Sequence, residues 1–349
     1  MEQLNLEDPL PKAALTVGII YNLKKGIKTE VIDDEAEYDS IDTIAAIKSA
    51  LETKGHHVLL FEADKALPEK LRKTRIDIAF NIAEGFGGRC REAQIPAMLN
   101  YFGIPFTGSD ETSLCLALDK ALTKRLLSSH KIRTPKYTLL SPESPVPVLH
   151  LKYPVIVKPN AEGSSKGISD ASIIKSHEEL SELAKHNFRL YHGTMLAEEY
   201  IEGREFTVGI LGNGKEAKVF RPMEIIYKKE TQESFHVYSF NVKQNYKEYI
   251  EYQCPASLTK EQEAEITDMS RKVYGILGCR DFSRIDYRMS TDGKIYFIEI
   301  NPLPGLAPGY SDYPMLAEFC GNSYTELINN ILDAALTRLS LGNRGESAI

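Results

Sequence analysis

A chain of 349 residues with 42% hydrophobic and 26% charged residues has the composition of an ordinary globular protein, long enough for two or three domains. The net charge of −7, from 42 basic against 49 acidic residues, argues against nucleic acid as the main partner, and no apolar run approaches the roughly 20 residues of a membrane-spanning helix. Five cysteines form no C-x-x-C pair, and the acidic start "MEQLNLEDPLPKAAL" lacks the regions of a signal peptide, so free thiols, a cytoplasmic location and no membrane partner are expected.

The first third alternates strand-like and helix-like stretches. "ALTVGIIY" reads as a strand, and "SIDTIAAIKSALETKG" as a helix capped by Ser40, with Ile44, Ile47 and Leu51 on one face and Gly55 as a stop. "HVLLFEAD", "IDIAFNIA" and "IPFTG" read as further strands, with helices near 67–74 and 91–102 between them. Such alternation predicts a parallel sheet covered by helices, and a single long helix follows through "SLCLALDKALTKRLLSSH". From about Thr134 the strands "YPVIVKP" and "MLAEEYI" flank a helical "SHEELSELAKH", and the glycine- and serine-rich "NAEGSSKG" follows the first of them. Past Gly203 come "EFTVGILG" and "KVFRPMEIIY", then a long polar loop, "KKETQESFHVYSFNVKQNYKE". Thr259 and Gln262 form a capping-box signature ahead of Ile266, Met269, Val273 and Ile276, and a last helix starts at about Tyr324. Domain borders are placed near 117 and 203, giving units 1–117, 118–203 and 204–349.

The stretch "SRIDYRMSTDGKIYFIEINPLPG" reads as a hairpin turning at Asp292-Gly293. Alternation puts Arg284 and Asp286 on one face of the first strand, and Phe297, Glu299 and Asn301 on one face of the second. Either of two registers, Met289 or Thr291 opposite Lys294, sets Asp286 and Glu299 on the same face. Like charges paired across strands repel, so a cation is expected between them, either Arg284 alone or a divalent metal. Two carboxylates and the amide oxygen of Asn301, with no histidine or cysteine near, suit Mg²⁺ or Mn²⁺ over zinc. Lys158 ends an apolar strand just before "EGSSKG", a loop whose backbone N–H groups and serine hydroxyls can approach a phosphate, although the G-x-x-x-x-G-K-[ST] pattern is absent. Lys120 lies in the helical "LDKALTK", and the acids of "LAEEYIEGREFTVGILG" surround an apolar strand.

In this order, "GIPFTGSD", "LDKALTK", "YPVIVKPNAEGSSKGIS", "LAEEYIEGREFTVGILG" and "RIDYRMSTDGKIYFIEINPLPGL" resemble the ATP-grasp superfamily, and within it the D-alanine–D-alanine ligase group. The resemblance spans about Gly103 to Leu306. It implies an α/β protein, α+β overall, of three domains with an N-terminal Rossmann-like parallel sheet. It implies ATP as substrate nucleotide, with Lys120 and Lys158 on its phosphates and Glu162, Gly163, Ser164 and Ser165 in a loop over them. Glu198, Glu199 and Ile201 would bind the adenine edge, and Glu205 the ribose. Lys243 would reach the γ-phosphate. Asp286, Glu299 and Asn301 would hold two Mg²⁺ ions, with Mn²⁺ as the alternative, and Arg284 and the N–H of Gly305 would stabilise an oxyanion. The implied reaction is attack of a carboxylate on the γ-phosphate and then of an amine on the acyl phosphate. A homodimer is the family-level expectation.

Three stretches depart from that group. Where it carries Gly-Gly-x-Ser-x-Glu, this chain reads "YNLKKGIKTEVIDDEAEYDS", with Tyr21 and Asn22 for the paired glycines and Glu35 or Glu37 for the carboxylate. Where it carries Gly-Glu-Asp-Gly, the chain has "GRCREAQ", with Arg89, Arg91 and Glu92. After "PG" the usual Ser-Leu is replaced in "APGYSDYP", so that Tyr310 or Ser311 takes its place. All three touch the amino-acid pockets. The resemblance therefore implies a ligase of a small carboxylate and a small amine that need not be two D-alanines, with Tyr21, Glu35, Arg91, Tyr310 and Ser311 as substrate-side candidates. Lys24, Lys25, Arg89 and Arg91 would suit a more anionic acyl donor, or are solvated surface. A D-alanine–D-alanine ligase with a rearranged donor loop and a non-catalytic ATP-binding regulator are the competing readings.

Overall fold

A computed structural model describes residues 14–26, 35–163, 166–167, 172–191, 193–228 and 237–341. The strands are β1 (Thr16–Tyr21), β2 (His57–Glu62), β3 (Ile78–Asn81), β4 (Tyr137–Leu140), β5 (Val155–Pro159), β6 (Ile173–Ile174), β7 (Met195–Glu199), β8 (Gly203–Leu211), β9 (Lys218–Val219), β10 (Met223–Tyr227), β11 (Ile250–Gln253), β12 (Phe282–Ser290) and β13 (Ile295–Asn301). They form three sheets. β2-β1-β3 is parallel, with helices Ile41–Glu52 and Leu67–Lys73 as crossovers, as the alternation predicts. The other two are antiparallel, in the orders β4-β7-β5-β6 and β11-β10-β8-β12-β13, with β9 on β8. Among the described residues no helix is long and apolar enough to cross a membrane.

Each antiparallel sheet buries one face. In β8 and β12 the residues Phe206, Val208, Ile210, Ile285, Tyr287 and Met289 face inward and join Ile266, Met269 and Val273 of helix Lys260–Ile276 in one core. Thr259 and Gln262 close the capping box at its start, which fixes where that covering helix begins. In β5 and β7, Val155, Val157, Met195 and Ala197 pack on Leu180 and Ala184 of helix His177–Tyr191. The alternate residues, Ile156, Lys158, Glu198, Glu205, Asp286 and Arg288, all line one internal cavity, so the uncovered faces of the two sheets look at each other across it. The last helix, Tyr324–Arg338, packs on Ile41–Glu52. Its Ile331 and Leu332 share a core with Val17, Ile47 and Leu51, and Asn329 Nδ2 donates to Ala50 O at 2.9 Å.

Three sequence expectations need correcting. The long helix breaks into Glu111–Leu118 and Lys120–Ser129, because Asp119 takes an extended conformation and its carboxylate accepts from Leu122 N as a cap. "IPFTG" contributes only one bridge, Phe106 to Ala79, in place of a strand. In the hairpin, Ser290 N bonds to Lys294 O, with Gly293 at φ +81° closing a three-residue turn, so the register at this end lies between the two expected ones. Continued unchanged, it would set Asp286 opposite Ile298. A β-bulge intervenes: Tyr287 pairs with Phe297, but Asp286 pairs with Glu299, which leaves Ile298 as the extra residue. The acids therefore meet as expected, while Phe297 turns to the core and does not share their face.

Candidate active site

A narrow cavity of about 80 Å³ lies between the antiparallel sheets. Its walls are apolar at Ile156, Ile201, Phe206, Ile225 and Ile298, and charged at Lys158, Glu198, Glu199, Glu205, Arg288, Asp286 and Glu299. Lys158 Nζ lies 2.6 Å from Glu198 Oε1, and the buried Lys124 lies 3.0 Å from Glu198 Oε2. Glu198 thus fixes two ammonium groups, and its oxygens face lysines where the sequence reading gives them to adenine. Desolvation drives the pKa of Lys124 down to about 8 against the attraction of Glu198, with the like charge of Lys158 adding to the fall. Lys124 Nζ also donates to the carbonyl of the bulged Ile298 at 2.9 Å, so this lysine holds the irregularity that places Glu299. Glu205 accepts from Tyr227 at 2.9 Å and lies 3.2 Å from Arg288 Nη1.

Asp286 and Glu299 stand opposite one another on β12 and β13. Asp286 is held from several sides, by Arg284 Nε at 3.0 Å and Nη2 at 2.9 Å, Thr207 Oγ1 at 2.7 Å and Asn301 Nδ2 at 3.2 Å. Among the described residues, Glu299 has only Lys120 Nζ within ion-pair reach, at 3.5 Å. Burial opposes its ionisation, yet Lys120, Lys158, Arg284 and Lys124 together overcome that cost and hold its carboxyl at about 2. It is a carboxylate at every physiological pH. Two acidic groups and an amide on one face, without histidine or sulfur, form the hard donor set that fits Mg²⁺.

Lys120 begins helix Lys120–Ser129, and its Nζ also donates to Glu162 O at 2.5 Å, tying the helix to the loop after β5. Ser164 and Ser165 lie outside the described residues. Gly163 N donates to Glu37 Oε1 at 2.9 Å, and a Cβ at Gly163 would come within 2.5 Å of that oxygen, so a side chain there would push the Glu37 carboxylate aside.

A larger cavity of about 340 Å³ adjoins the first, sharing Lys243, Arg284 and Glu299 with it. Glu162, Gly163, Gly305, Tyr310 and Ser311 line it, as do Glu37, Glu84 and Glu92. Desolvation lowers the pKa of Lys243. A Cβ at Gly305 would lie 2.8 Å from Ser311 Oγ, so a side chain there would displace that hydroxyl. Behind Arg284, Asp312 lies 3.4 Å from Nη1 and accepts from Tyr238 at 3.0 Å and Tyr252 at 2.7 Å.

The structure places several of the substrate-side candidates away from the cavity or against other side chains. Tyr21 is absent from the cavity wall; it packs beside the core that β1 shares with the last helix, while Asn22 turns inward and accepts from Glu84 N and Gly85 N. Glu35 is likewise absent, because its carboxylate is taken by Lys25 N and Gly26 N, and Glu37 occupies the wall instead. Arg91 is not free for substrate. It grips Glu37 at 2.6 and 2.7 Å and Ala161 O at 2.8 Å. Arg89 is paired with Asp119 at 2.6 Å and Lys25 with Glu62 at 2.5 Å, so of the four basic residues only Lys24 reaches the cavity. Sequence reasoning passed over Lys124, one turn beyond Lys120 in "LDKALTK", whose spacing puts both on one helical face. It also missed Arg288, at the same alternation as Arg284 and Asp286, together with Glu84 and Asp312, which no local signal marks.

The C-terminal portion matches a family model described as the D-ala D-ala ligase C-terminus, over residues 138–333. A D-alanine–D-alanine ligase of Aquifex aeolicus is 34% identical over 84% of this chain and 94% of its own. An uncharacterized protein, y4sG, of Sinorhizobium fredii is 32% identical over 84% of this chain and 87% of its own. In fold, the chain is similar to a D-alanine–D-alanine ligase from Bacillus anthracis complexed with ATP, with a TM-score of 0.75 at 23% identity, covering 94% of this chain and 99% of that one.

Proposed function

The chain belongs to the D-alanine–D-alanine ligase family of ATP-grasp proteins, and from that premise we propose that it is an ATP-dependent, ADP-forming ligase joining a small carboxylate to a small amine, an amino acid to another amino acid or amino-acid-like molecule. The observation that carries the reading is the junction of the two cavities, where Lys243, Arg284 and Glu299 face both at once. A nucleotide held between the antiparallel sheets would present its γ-phosphate there to a carboxylate in the larger cavity.

Repulsion between the attacking carboxylate and the phosphates is the main barrier, and the roles of the side chains follow from it. Lys158, held rigid by Glu198, and Lys120, tied to Glu162, neutralise phosphate oxygens. Lys243, partly desolvated, completes the cation set at the junction. Glu205, fixed by Tyr227 and Arg288, accepts the ribose hydroxyls, and Ile201 and Glu199 lie at the base end of the cavity. Asp286, Glu299 and Asn301 would hold Mg²⁺, which when bound screens the negative charge building up on the phosphoryl group. The carboxylate oxygen bonds to the γ-phosphorus as the bond to ADP breaks. The neutral amine then attacks the acyl carbon, the oxyanion rests on Arg284 and the Gly305 N–H, and phosphate leaves, taking up the proton that the nitrogen loses. Glu37, by anchoring Gly163, keeps the loop after β5 in the cavity wall, which limits access of water to the acyl phosphate.

The placement of the three sheets within residues 16–81, 137–199 and 203–301 supports a division into units 1–117, 118–203 and 204–349. Cytoplasmic location agrees with the free cysteines of the described residues. The test is ADP and phosphate release from Mg–ATP with pools of amino acids, followed by mass analysis of the product. A condensed product with stoichiometric ADP is expected. Release on D-alanine alone would identify a D-alanine–D-alanine ligase, and nucleotide binding without turnover on any pair would make the protein a regulator.

A further inference from the structure

The wall of the larger cavity is acidic: carboxylates outnumber cationic side chains seven to four. Three of them, Glu37, Glu84 and Glu92, bring one oxygen each within 4.8 Å of the others. Glu37 is fully engaged by Arg91, Lys166 and the Gly163 N–H. Glu84 and Glu92 differ from it. They are 9% and 8% exposed, both carboxylates line the cavity, and among the described residues neither makes a hydrogen bond or ion pair through its side chain. Burial and mutual repulsion push both carboxyls above the usual range, only partly countered by the nearby Arg91 guanidinium.

Without a ligand the pair is relieved by taking up protons, which burial favours; a cation that enters lets it ionise. An organic cation fits better than a metal, because the third carboxylate of the cluster is already committed to Arg91 and Lys166, and the cavity is large enough for an amino acid. A single α-ammonium offsets one acid, and the second ionises only when a second cation joins it. We propose that Glu84 and Glu92 form a subsite for a doubly cationic amino substrate, a diamino acid whose reacting group lies toward Arg284 and Gly305 while its ammonium groups lie against the acid pair. This rests on the ligase reading above and replaces the expectation of an anionic acyl donor.

The probes are lysine, ornithine and 2,4-diaminobutyrate in both enantiomers, each beside its isostere without the second ammonium, norleucine, norvaline and 2-aminobutyrate. Binding is measured by calorimetry on the full chain with Mg²⁺ and a non-hydrolysable ATP analogue, for the wild type and for E84Q/E92Q. At least one diamino acid is expected to bind ten-fold or more tighter than its isostere, with the preference lost in the variant. The unliganded variant is also expected to melt above the wild type, because it removes the repulsion. Equal binding of diamino acids and isosteres, a preference that survives in E84Q/E92Q, or a lower melting point in the variant would overturn the proposal. So would Mn²⁺ retained by the protein without nucleotide and lost in the variant, since that would make the cluster a metal site. Amide formation confined to neutral amino acids sinks this inference and leaves the ligase reading standing. Absence of turnover with every pair, despite nucleotide binding, sinks the ligase reading first.

Discussion

Glu299 is the residue at which the charges of the site meet. Four cations hold it ionised, yet among the described residues only Lys120 approaches it as an ion-pair partner, which leaves the carboxylate accessible to a metal or a phosphate-bound cation. Glu299→Gln keeps size and hydrogen bonding but removes the charge. Turnover is expected to fall by about 10²-fold or more, with circular dichroism and melting point little changed; undiminished ADP release would remove Glu299 from the site. At Glu92 the sign is opposite. Desolvation, reinforced by Glu37 and countered by Arg91, raises its pKa from 4.5 to about 7. The fold therefore binds more protons than the unfolded chain between these values, and this group's contribution to stability is lost as pH rises through that window. Urea midpoints near about pH 5 and about pH 8 should differ less in E92Q than in the wild type, once substrate is absent.

Elements place these residues by capping and register. Asp119 separates two helices that the sequence reads as one, and in doing so makes Lys120 the first residue of the second. Asp119→Ala removes the cap on Leu122 N and the partner of Arg89, and is expected to cost about 1 kcal/mol. Because the helix start then frays under Lys120, the KM for ATP should rise together with the loss of denaturation midpoint. A stability loss with unchanged KM would show that Lys120 is positioned by its Glu162 contact alone. The hairpin makes the same point about register. A three-residue turn and one bulge together decide that Asp286 meets Glu299, and Lys124 buttresses the bulge from a helix more than 170 residues away in sequence.

On the scale of the molecule, the chain's end completes its beginning. Ile331 on the last helix lies in the core built on β1 and helix Ile41–Glu52, so the wall that carries Glu37, Glu84 and Glu92 depends on residues far from it in sequence. Ile331→Ala is expected to cost about 2–5 kcal/mol by cavity formation, read from chemical denaturation, and to loosen the N-terminal unit first in hydrogen exchange.

By itself the sequence determined whatever depends on local periodicity. Alternation put Arg284 and Asp286 on one face, the capping box located helix Lys260–Ile276, strand–helix alternation predicted the parallel sheet, and the ordered lysines and glycine loop carried the family resemblance. These signals are short-range, because side-chain direction and caps are set within a few residues. Only the tertiary structure decided that Glu37 and not Glu35 enters the cavity, that Arg91 and Arg89 are neutralised, that Lys124 is buried on Glu198, and that Glu84 stands against Glu92. Each of those outcomes is a distance or an orientation settled between packed segments, where charge pairing and burial depend on neighbours that local pattern does not encode.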